Sequence, residues 1–392
     1  TNIIVSYNNM ANKSVLLWVG YHANKWDARN WVENGIGGSE YSMIKLAYKL
    51  QSKGYDVTVA GDVNTSWLWG VKWIHQDMLS SNRGPRGLSE AHDIGVKNHY
   101  NIIIGNNYIS FIKHLEDASI SFDKAYFWMH NEDYYPWYKG SELNEYKSYF
   151  KHPKLKAIIG VSKFHANLLK ENASKLFDYT PHEANTYIRS IDNAIDLVDY
   201  TEWKNEPIEI DTDNKVKGRI IWSSSPDRGL NMILSNWNDW KAKRPDLSLV
   251  VCSPPYSVDW LDKATLDGLK DVEWKANLCP LDLKREIAKA EYWIYCSDYV
   301  ETYCISALEM MMGKVKIMTT GTGNIMSLID NGDRGEICTM DPDSVINDLL
   351  NDINKPLYNT RQTNKVNKAV RWAKKENWDN RVNEWIEMID ND

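Results

Sequence analysis

No apolar run in this chain is longer than about seven residues, Val15–Tyr21 being one of the longest. A membrane-spanning helix needs roughly 20 consecutive apolar residues, so none is expected. The N-terminal residues lack a basic stretch followed by an apolar one, and no secretory signal is expected there. Cysteine is sparse: Cys252, Cys279, Cys296, Cys304 and Cys338 are the full set, all in the second half, with no C-x-x-C. An odd count without paired spacing argues against a disulfide framework and fits a reducing compartment, so a cytoplasmic location is the expectation. The sequons at Asn12, Asn64 and Asn172 then carry little meaning. Histidine stops at His182, and no H-E-x-x-H or paired Cys/His spacing occurs, so no zinc site is expected. Positive charge is also in deficit. Lys and Arg total 46 against 53 for Asp and Glu, a formal net charge of −7. That balance gives no general attraction to nucleic acid or to an anionic membrane.

What is present is an ordinary globular composition, 43% hydrophobic and 25% charged, which excludes disorder for most of the chain. A length of 392 residues suggests two domains or three. Tryptophan (18) and tyrosine (22) are abundant, and such side chains both fill cores and stack on sugar rings and bases.

Short apolar, β-rich runs recur along the chain. The first set is Val15–Tyr21, Asp56–Gly61, Asn101–Gly105, Ala125–His130 and Ala157–Ser162. The second is Arg219–Ser225, Leu247–Ser253, Val272–Leu278, Tyr292–Ser297 and Lys314–Thr320. Runs that are continuously apolar rather than alternating suit strands buried on both faces of a parallel sheet. Helical patterns lie between them, such as Glu40–Lys53, Phe164–Glu171 and Ile305–Met312. This alternation predicts an α/β, doubly wound architecture with about five or six strands in each half. The polar segment 201–217 reads as a linker. The expected domains are therefore 1–200 and 218–375. A final helix at 376–392 follows, its apolar stripe formed by Trp378, Val382, Trp385, Ile386 and Ile389.

Open α/β sheets bind ligands beyond the carboxyl ends of their strands, so the residues following each strand are the candidates. Gly37-Gly38-Ser39-Glu40 opens a helix and suits a phosphate or a sugar hydroxyl. It reads equally as a strand-to-helix turn with Ser39 as N-cap. Ser223-Ser224-Ser225-Pro226-Asp227-Arg228-Gly229 offers hydroxyl, backbone and guanidinium donors suited to a diphosphate. The alternative there is a capped helix start with a surface arginine. Glu301 and Glu309 are eight residues apart, one ending a loop and the other two turns into a helix, a spacing that many helices share. His130 follows an aromatic strand and precedes two acids, and a structural or surface role is its plainer reading. Asp211-Thr212-Asp213 matches the D-x-D pattern of metal-dependent nucleotide-sugar enzymes, but it stands in the polar linker with no apolar strand before it. Gly321-Thr322-Gly323 begins like G-x-G-x-x-G, lacks the third glycine, and follows the last major strand rather than the first.

Together these segments resemble the GT-B-fold retaining glycosyltransferases of family GT4. Glu301-Thr-Tyr-Cys-Ile-Ser-Ala-Leu-Glu309-Met-Met-Met-Gly313 is similar to the family's E-x7-E signature, and Gly37-Gly38-Ser39-Glu40 to its G-G-x-E. Gly160-Val-Ser162-Lys-Phe and Asn193-Ala-Ile-Asp196 (similar to N-G-I-D) support it, as does the Ser223–Gly229 loop, and the matches keep the family's order. There are departures. Ser223 or Ser224 stands near the loop's usual arginine, Arg228 replaces its lysine, Ala194 replaces a glycine, and the Gly321 segment lacks the family's glutamate. These leave the donor's identity open.

The resemblance implies two Rossmann-like domains facing across a cleft, acceptor-side first and nucleotide-sugar-binding second, with the final helix packing back towards the first. It implies a nucleotide-diphosphate-sugar donor, UDP- or GDP-linked, and a hydroxyl acceptor on a glycan or glycoconjugate, with no metal or other cofactor. Glu309 would bond the ribose hydroxyls. Glu301 and the backbone around Tyr303, Cys304 and Ile305 would hold sugar and phosphates. Arg228, Ser223 and Ser224 would neutralise the leaving diphosphate, Gly37 and Gly38 would approach the phosphates, and His130 would contact the sugar. A non-catalytic nucleotide-sugar-binding protein, a GT-B nucleotide-sugar epimerase and a sugar transferase acting on nucleic acid are the alternatives.

Overall fold

The computed structural model describes residues 13–20, 26, 29–79, 95–134, 146–197, 199–201, 206–254 and 263–392. Among these residues the chain forms two sheets built mostly from parallel strands, with helices between the strands. The first sheet contains β1 (Ser14–Gly20), β2 (Asp56–Gly61), β3 (Ser66–Leu68), β4 (Val71–His75), β5 (His99–Asn106), β6 (Ser121–Met129), β7 (Leu155–Gly160) and β8 (Ile188–Ser190). Their order is β3-β4-β2-β1-β5-β6-β7-β8, and only the β3–β4 pair is antiparallel. β1 is buried along its whole length, as a central strand covered on both faces must be.

The first sheet thus has more strands than the five or six expected. The unforeseen hairpin β3–β4 turns on Trp69-Gly70, with φ of 53° and 78°. A type I′ hairpin turn needs positive φ at both central positions, and Asn or Asp usually fills the first. Trp69 adopts it instead and packs on Tyr48, ring centroids 4.7 Å apart. No Asn-Gly or Asp-Gly signal therefore marked the turn.

A short antiparallel pair, β9 (Asp199–Thr201) and β10 (Glu206–Ile208), precedes the second sheet. That sheet comprises β11 (Arg219–Trp222), β12 (Ser248–Ser253), β13 (Val272–Ala276), β14 (Tyr292–Tyr295), β15 (Lys316–Thr319) and β16 (Glu336–Ile337). It is parallel throughout, in the order β13-β12-β11-β14-β15-β16. This is the doubly wound order whose direction of winding reverses between the first and fourth strands.

The described residues fall into two compact units. One draws on Thr1–Ala28, Ser39–Asn193 and Arg381–Asp392, the other on Arg29–Gly38 and Ala194–Asn380. In the first unit, Trp385 of the helix Trp378–Asn391 packs edge-on against Trp128 at 5.0 Å. Tyr126 donates to Asp392 at 3.1 Å, and Arg189 pairs with the same carboxylate at 2.9 Å. In the second unit, Gly35 N–H donates to Asn277 Oδ1 at 3.0 Å, and Ile195 pairs with Asn377 as a parallel bridge. No helix among the described residues is long and apolar enough to cross a membrane.

Candidate active site

The reversal of winding in the second sheet opens a crevice between the carboxyl ends of β11 and β14, where neighbouring loops diverge to opposite faces. Two of the sequence-derived segments leave the sheet at that point. After β11 the chain runs through Ser223–Ser225 and a 3-10 turn, Pro226–Arg228, into the helix Leu230–Lys243. Gly229 joins turn to helix at φ 120°, and a Cβ there would lie 2.5 Å from the Cys296 carbonyl. Only glycine permits both the backbone angle and this approach to the end of β14. The Ser224 carbonyl accepts from Trp222 Nε1 at 2.8 Å, which folds the loop back on its strand. Ser223 Oγ is buried with no hydrogen-bond partner among the described residues.

The loop after β14 brings Glu301 to this arginine. Arg228 Nη1 donates to Glu301 Oε1 at 3.0 Å, and Nη2 donates to the Tyr299 hydroxyl at 3.3 Å. The Tyr299 ring lies under the guanidinium, 4.0 Å from Cζ to the centroid, within cation–π range. Glu301 is buried, and Tyr295 at the end of β14 donates its hydroxyl to the same Oε1 at 2.5 Å. Burial, followed by the neighbouring Glu301 charge, pushes the Tyr295 phenol well above its usual range, so it stays a donor. The carboxylate therefore sits out of water with one cation and one neutral donor on a single oxygen.

Gly321-Thr322-Gly323-Asn324 braces this loop. Thr320 and Thr322 hydroxyls both donate to the Ser297 carbonyl, at 2.6 and 2.7 Å. Gly323 forms a parallel bridge with Glu301, and Asn324 N–H donates to the Glu301 carbonyl at 2.8 Å. Gly323 has φ 71°, and a Cβ on it would lie 2.5 Å from the Glu301 carbonyl oxygen. Asn324 Nδ2 donates to the Tyr303 carbonyl at 3.1 Å. The segment that began like a dinucleotide loop is thus the prop under Glu301.

Beyond Glu301, Tyr303 and Cys304 are buried and lead into the helix Ile305–Met312. Cys304 caps that helix in the left-handed region, φ 76° and ψ 74°, a conformation unusual for a residue with a Cβ. Its thiol is held neutral, chiefly by burial. Glu309 is the fifth residue of the helix, a little over one turn in. It lies on the partly exposed stripe shared with Thr302, Ile305 and Met312. Gly38 stands beside the start of this helix, a Cβ on it falling 3.4 Å from Ile305 Cδ1, while Gly37 immediately precedes the helix Gly38–Ser52. That helix begins at Gly38, so Ser39 is not its cap; its hydroxyl donates to Glu40 at 2.8 Å.

His130 belongs to the other unit, at the carboxyl end of β6. Its ring stands 4.5 Å from Trp128, and its backbone N–H donates to Asn107 Oδ1 at 2.8 Å. Asn107 has φ 55° and also accepts from Asn131 N–H at 3.3 Å. His165 ties the loop down. Its Nδ1 accepts from Val161 N–H at 3.2 Å, so Nε2 carries the proton donated to the Asn131 carbonyl at 2.8 Å. Burial pushes His165 down to about 4, and it stays neutral. The Gly160-Val-Ser162 motif is structural here. A Cβ on Gly160 would meet Ala166 N at 2.8 Å, and Ser162 caps the helix Lys163–Phe177.

Sequence reasoning missed the parts that Tyr295, Tyr299 and Asn324 play around Glu301, and Asn107 and His165 around His130, and it weighed Gly323 only as part of an incomplete dinucleotide motif. The two glycines of Gly321-Thr-Gly323 were the one available signal. Asp211 accepts from Asp213 N–H at 2.9 Å and Asn214 Nδ2 at 2.5 Å, and Asp213 pairs with Lys314 at 2.5 Å. Their carboxylates thus close a turn and an ion pair. Among the described residues no group of three or more His, Cys, Asp or Glu is placed to hold a metal ion.

No protein-family model and no curated protein matches the chain. Solved structures do. Sucrose-phosphate synthase from Thermosynechococcus elongatus superposes with a TM-score of 0.64 at 13% identity, over 97% of this chain and 98% of that one. HepE of Anabaena, solved with UDP and glucose, gives 0.65 at 12% identity over 96% and 99%. The trehalose 6-phosphate synthase of Burkholderia multivorans gives 0.64 at 9% identity over 97% and 96%. The fold is therefore that of the GT-B glycosyltransferases: α/β, with two Rossmann-like units of doubly wound, mainly parallel sheet.

Proposed function

We propose that the protein is a retaining glycosyltransferase that moves a sugar from a nucleotide-diphosphate donor, UDP- or GDP-linked, to a hydroxyl acceptor without a metal ion. One observation carries this reading: Arg228 and Glu301, remote in sequence, meet at the winding reversal of the second sheet. HepE, which shares the fold, was solved with UDP and glucose.

Breaking a glycosyl–phosphate bond develops positive charge on the sugar and negative charge on the departing diphosphate. Preorganised donors stabilise the second of these. In this proposal Arg228 supplies the guanidinium, Ser223 and Ser224 supply hydroxyls, and the backbone N–H groups at Cys304 and Ile305 open a helix whose positive end suits phosphate. Gly38 lies beside that helix start, and with Gly37 it offers backbone at close range. Glu301 accepts a sugar hydroxyl and Glu309 the ribose hydroxyls. His130 keeps the sugar contact that the family resemblance implies. The departing phosphate deprotonates the acceptor, so no protein nucleophile is assigned. The acceptor is a glycan or glycoconjugate hydroxyl, and the cytoplasm is the proposed location.

A thermal-shift screen against UDP-, GDP- and ADP-sugars tests the reading, followed by measurement of nucleotide release from those that stabilise. Stabilisation with nucleotide release supports it. Stabilisation without release favours a non-catalytic binding protein, and no stabilisation by any of them refutes it.

A further inference from the structure

The two contacts that reach the Glu301 carboxylate fall on one of its oxygens. Tyr295 Oη donates to Oε1 at 2.5 Å and Arg228 Nη1 to the same Oε1 at 3.0 Å. No described residue donates to Oε2. A carboxylate has about four lone-pair sites spread over its two oxygens, so this arrangement commits one oxygen to the protein and leaves the other to a ligand.

Tyr295 is well built for holding that orientation. It ends β14, is 1% exposed, and stacks on Trp293 at 4.9 Å with planes 15° apart. Trp222, at the end of β11, also packs on the Tyr295 ring, centroids 5.5 Å apart and planes tilted by 31°. Two indoles thus fix the phenol ring, and the ring fixes the hydroxyl. Burial and the adjacent carboxylate keep that hydroxyl protonated. Arg228 is more exposed, with 26% of its side chain accessible against 7% for Glu301. Of the two donors, the tyrosine is the rigid one.

We propose that Tyr295 is a positioning residue for Glu301, holding Oε1 so that Oε2 is presented to a hydroxyl of the donor sugar. This rests on the glycosyltransferase reading above and adds to it the group that aims its carboxylate. Tyr295 touches no substrate; it acts through Glu301. In Tyr295→Phe the stacked ring stays in place and only the donor to Oε1 is lost. The carboxylate then rotates about its terminal torsion, which is broad and weakly restrained in glutamate.

The test is a double-mutant cycle of Tyr295→Phe and Glu301→Gln. Wild type and the three variants are compared for melting temperature, for affinity towards free UDP, GDP and ADP, and for kcat and KM. The donors are UDP-glucose, GDP-mannose and ADP-glucose, using whichever the wild type turns over. Losing one hydrogen bond to a charged group predicts a fall in kcat of about tenfold for Tyr295→Phe, with nucleotide affinity unchanged. In the Glu301→Gln background the same substitution is expected to change kcat by less than about twofold, because the group it positions has already been altered. Unchanged kcat in Tyr295→Phe overturns the proposal, as does an equal fall in both backgrounds. A parallel loss of melting temperature and nucleotide affinity overturns it too, by showing a purely structural role. Wild-type protein that neither binds nor turns over any of the donors instead overturns the glycosyltransferase reading, and this proposal with it.

Discussion

Arg228 and Glu301 stand 73 residues apart in sequence and meet at 3.0 Å. The carboxylate is almost wholly buried while the guanidinium lies over the Tyr299 ring and retains partial access. A buried carboxylate without a partner is strongly disfavoured, so the loops after β11 and β14 are tied through this pair. The same pair places one positive and one negative group at the point where a diphosphate leaves a sugar in the proposed reaction.

Glu301→Ala is expected to lower kcat more than it weakens binding of the free nucleotide, because in the proposed reaction the charge it meets changes. His130→Ala is expected to behave in the same way, being assigned to the same sugar. Steady-state rates and nucleotide affinities for both variants check this. Intact kcat in Glu301→Ala contradicts its assignment, and intact kcat in His130→Ala removes that residue from the site.

Activity is expected to persist in EDTA, since the proposed reaction assigns the charge of the diphosphate to Arg228, the serine loop and the start of the Ile305–Met312 helix. Nucleotide release assayed with and without chelator decides it. Loss in EDTA with recovery on adding manganese contradicts the metal-independent mechanism.

Gly323→Ala puts a Cβ 2.5 Å from the Glu301 carbonyl oxygen at φ 71°. The left-handed backbone alone costs roughly 1–2 kcal/mol for a residue with a Cβ, and the close contact adds to it. A lower urea midpoint together with reduced turnover is expected, because the bridge that supports Glu301 moves. A variant as stable and as active as wild type would show that the prop is dispensable.

Acid stability is expected to depend on Glu286. Burial opposes its ionisation, but hydrogen bonds from Lys275 at 2.9 Å and Arg219 at 2.8 Å outweigh that and hold it down at about 2. Its pKa is lower in the folded state than in the unfolded state, so its contribution is present above pH 4.5 and is lost as the pH falls towards 2. That contribution is on the order of 2–3 kcal/mol. Urea unfolding at pH 7 and pH 3 is expected to show a smaller acid loss in Glu286→Gln than in wild type. Equal losses would place the acid sensitivity elsewhere.

The central strands were legible because parallel strands covered on both faces must be continuously apolar, as Leu16–Val19 and Ile220–Trp222 are. The β3–β4 hairpin was not, since Trp69 occupies a turn position where asparagine or aspartate would have announced it. Glu301, Glu309 and Arg228 were legible as spacing and resemblance, but their partners were not. Tyr295 reads as one more aromatic in a buried strand until its hydroxyl is seen on Glu301. Gly323 read as part of an incomplete phosphate motif because positive φ is the common requirement of such loops and of the brace it forms. Pairings across 73 residues, and the difference between a ligand loop and a prop, are set by tertiary structure and leave no local mark.

The central claim is that Arg228 and Glu309 hold a nucleotide-diphosphate sugar, and calorimetric titration of the best-binding UDP-, GDP- or ADP-sugar tests it most directly. Wild type is expected to bind it. Loss of a charged hydrogen bond predicts affinity about 10–100-fold weaker in Glu309→Ala, and Arg228→Met is expected to weaken it comparably. Binding that survives both substitutions unchanged, or no binding of any such donor to the wild type, would contradict the account.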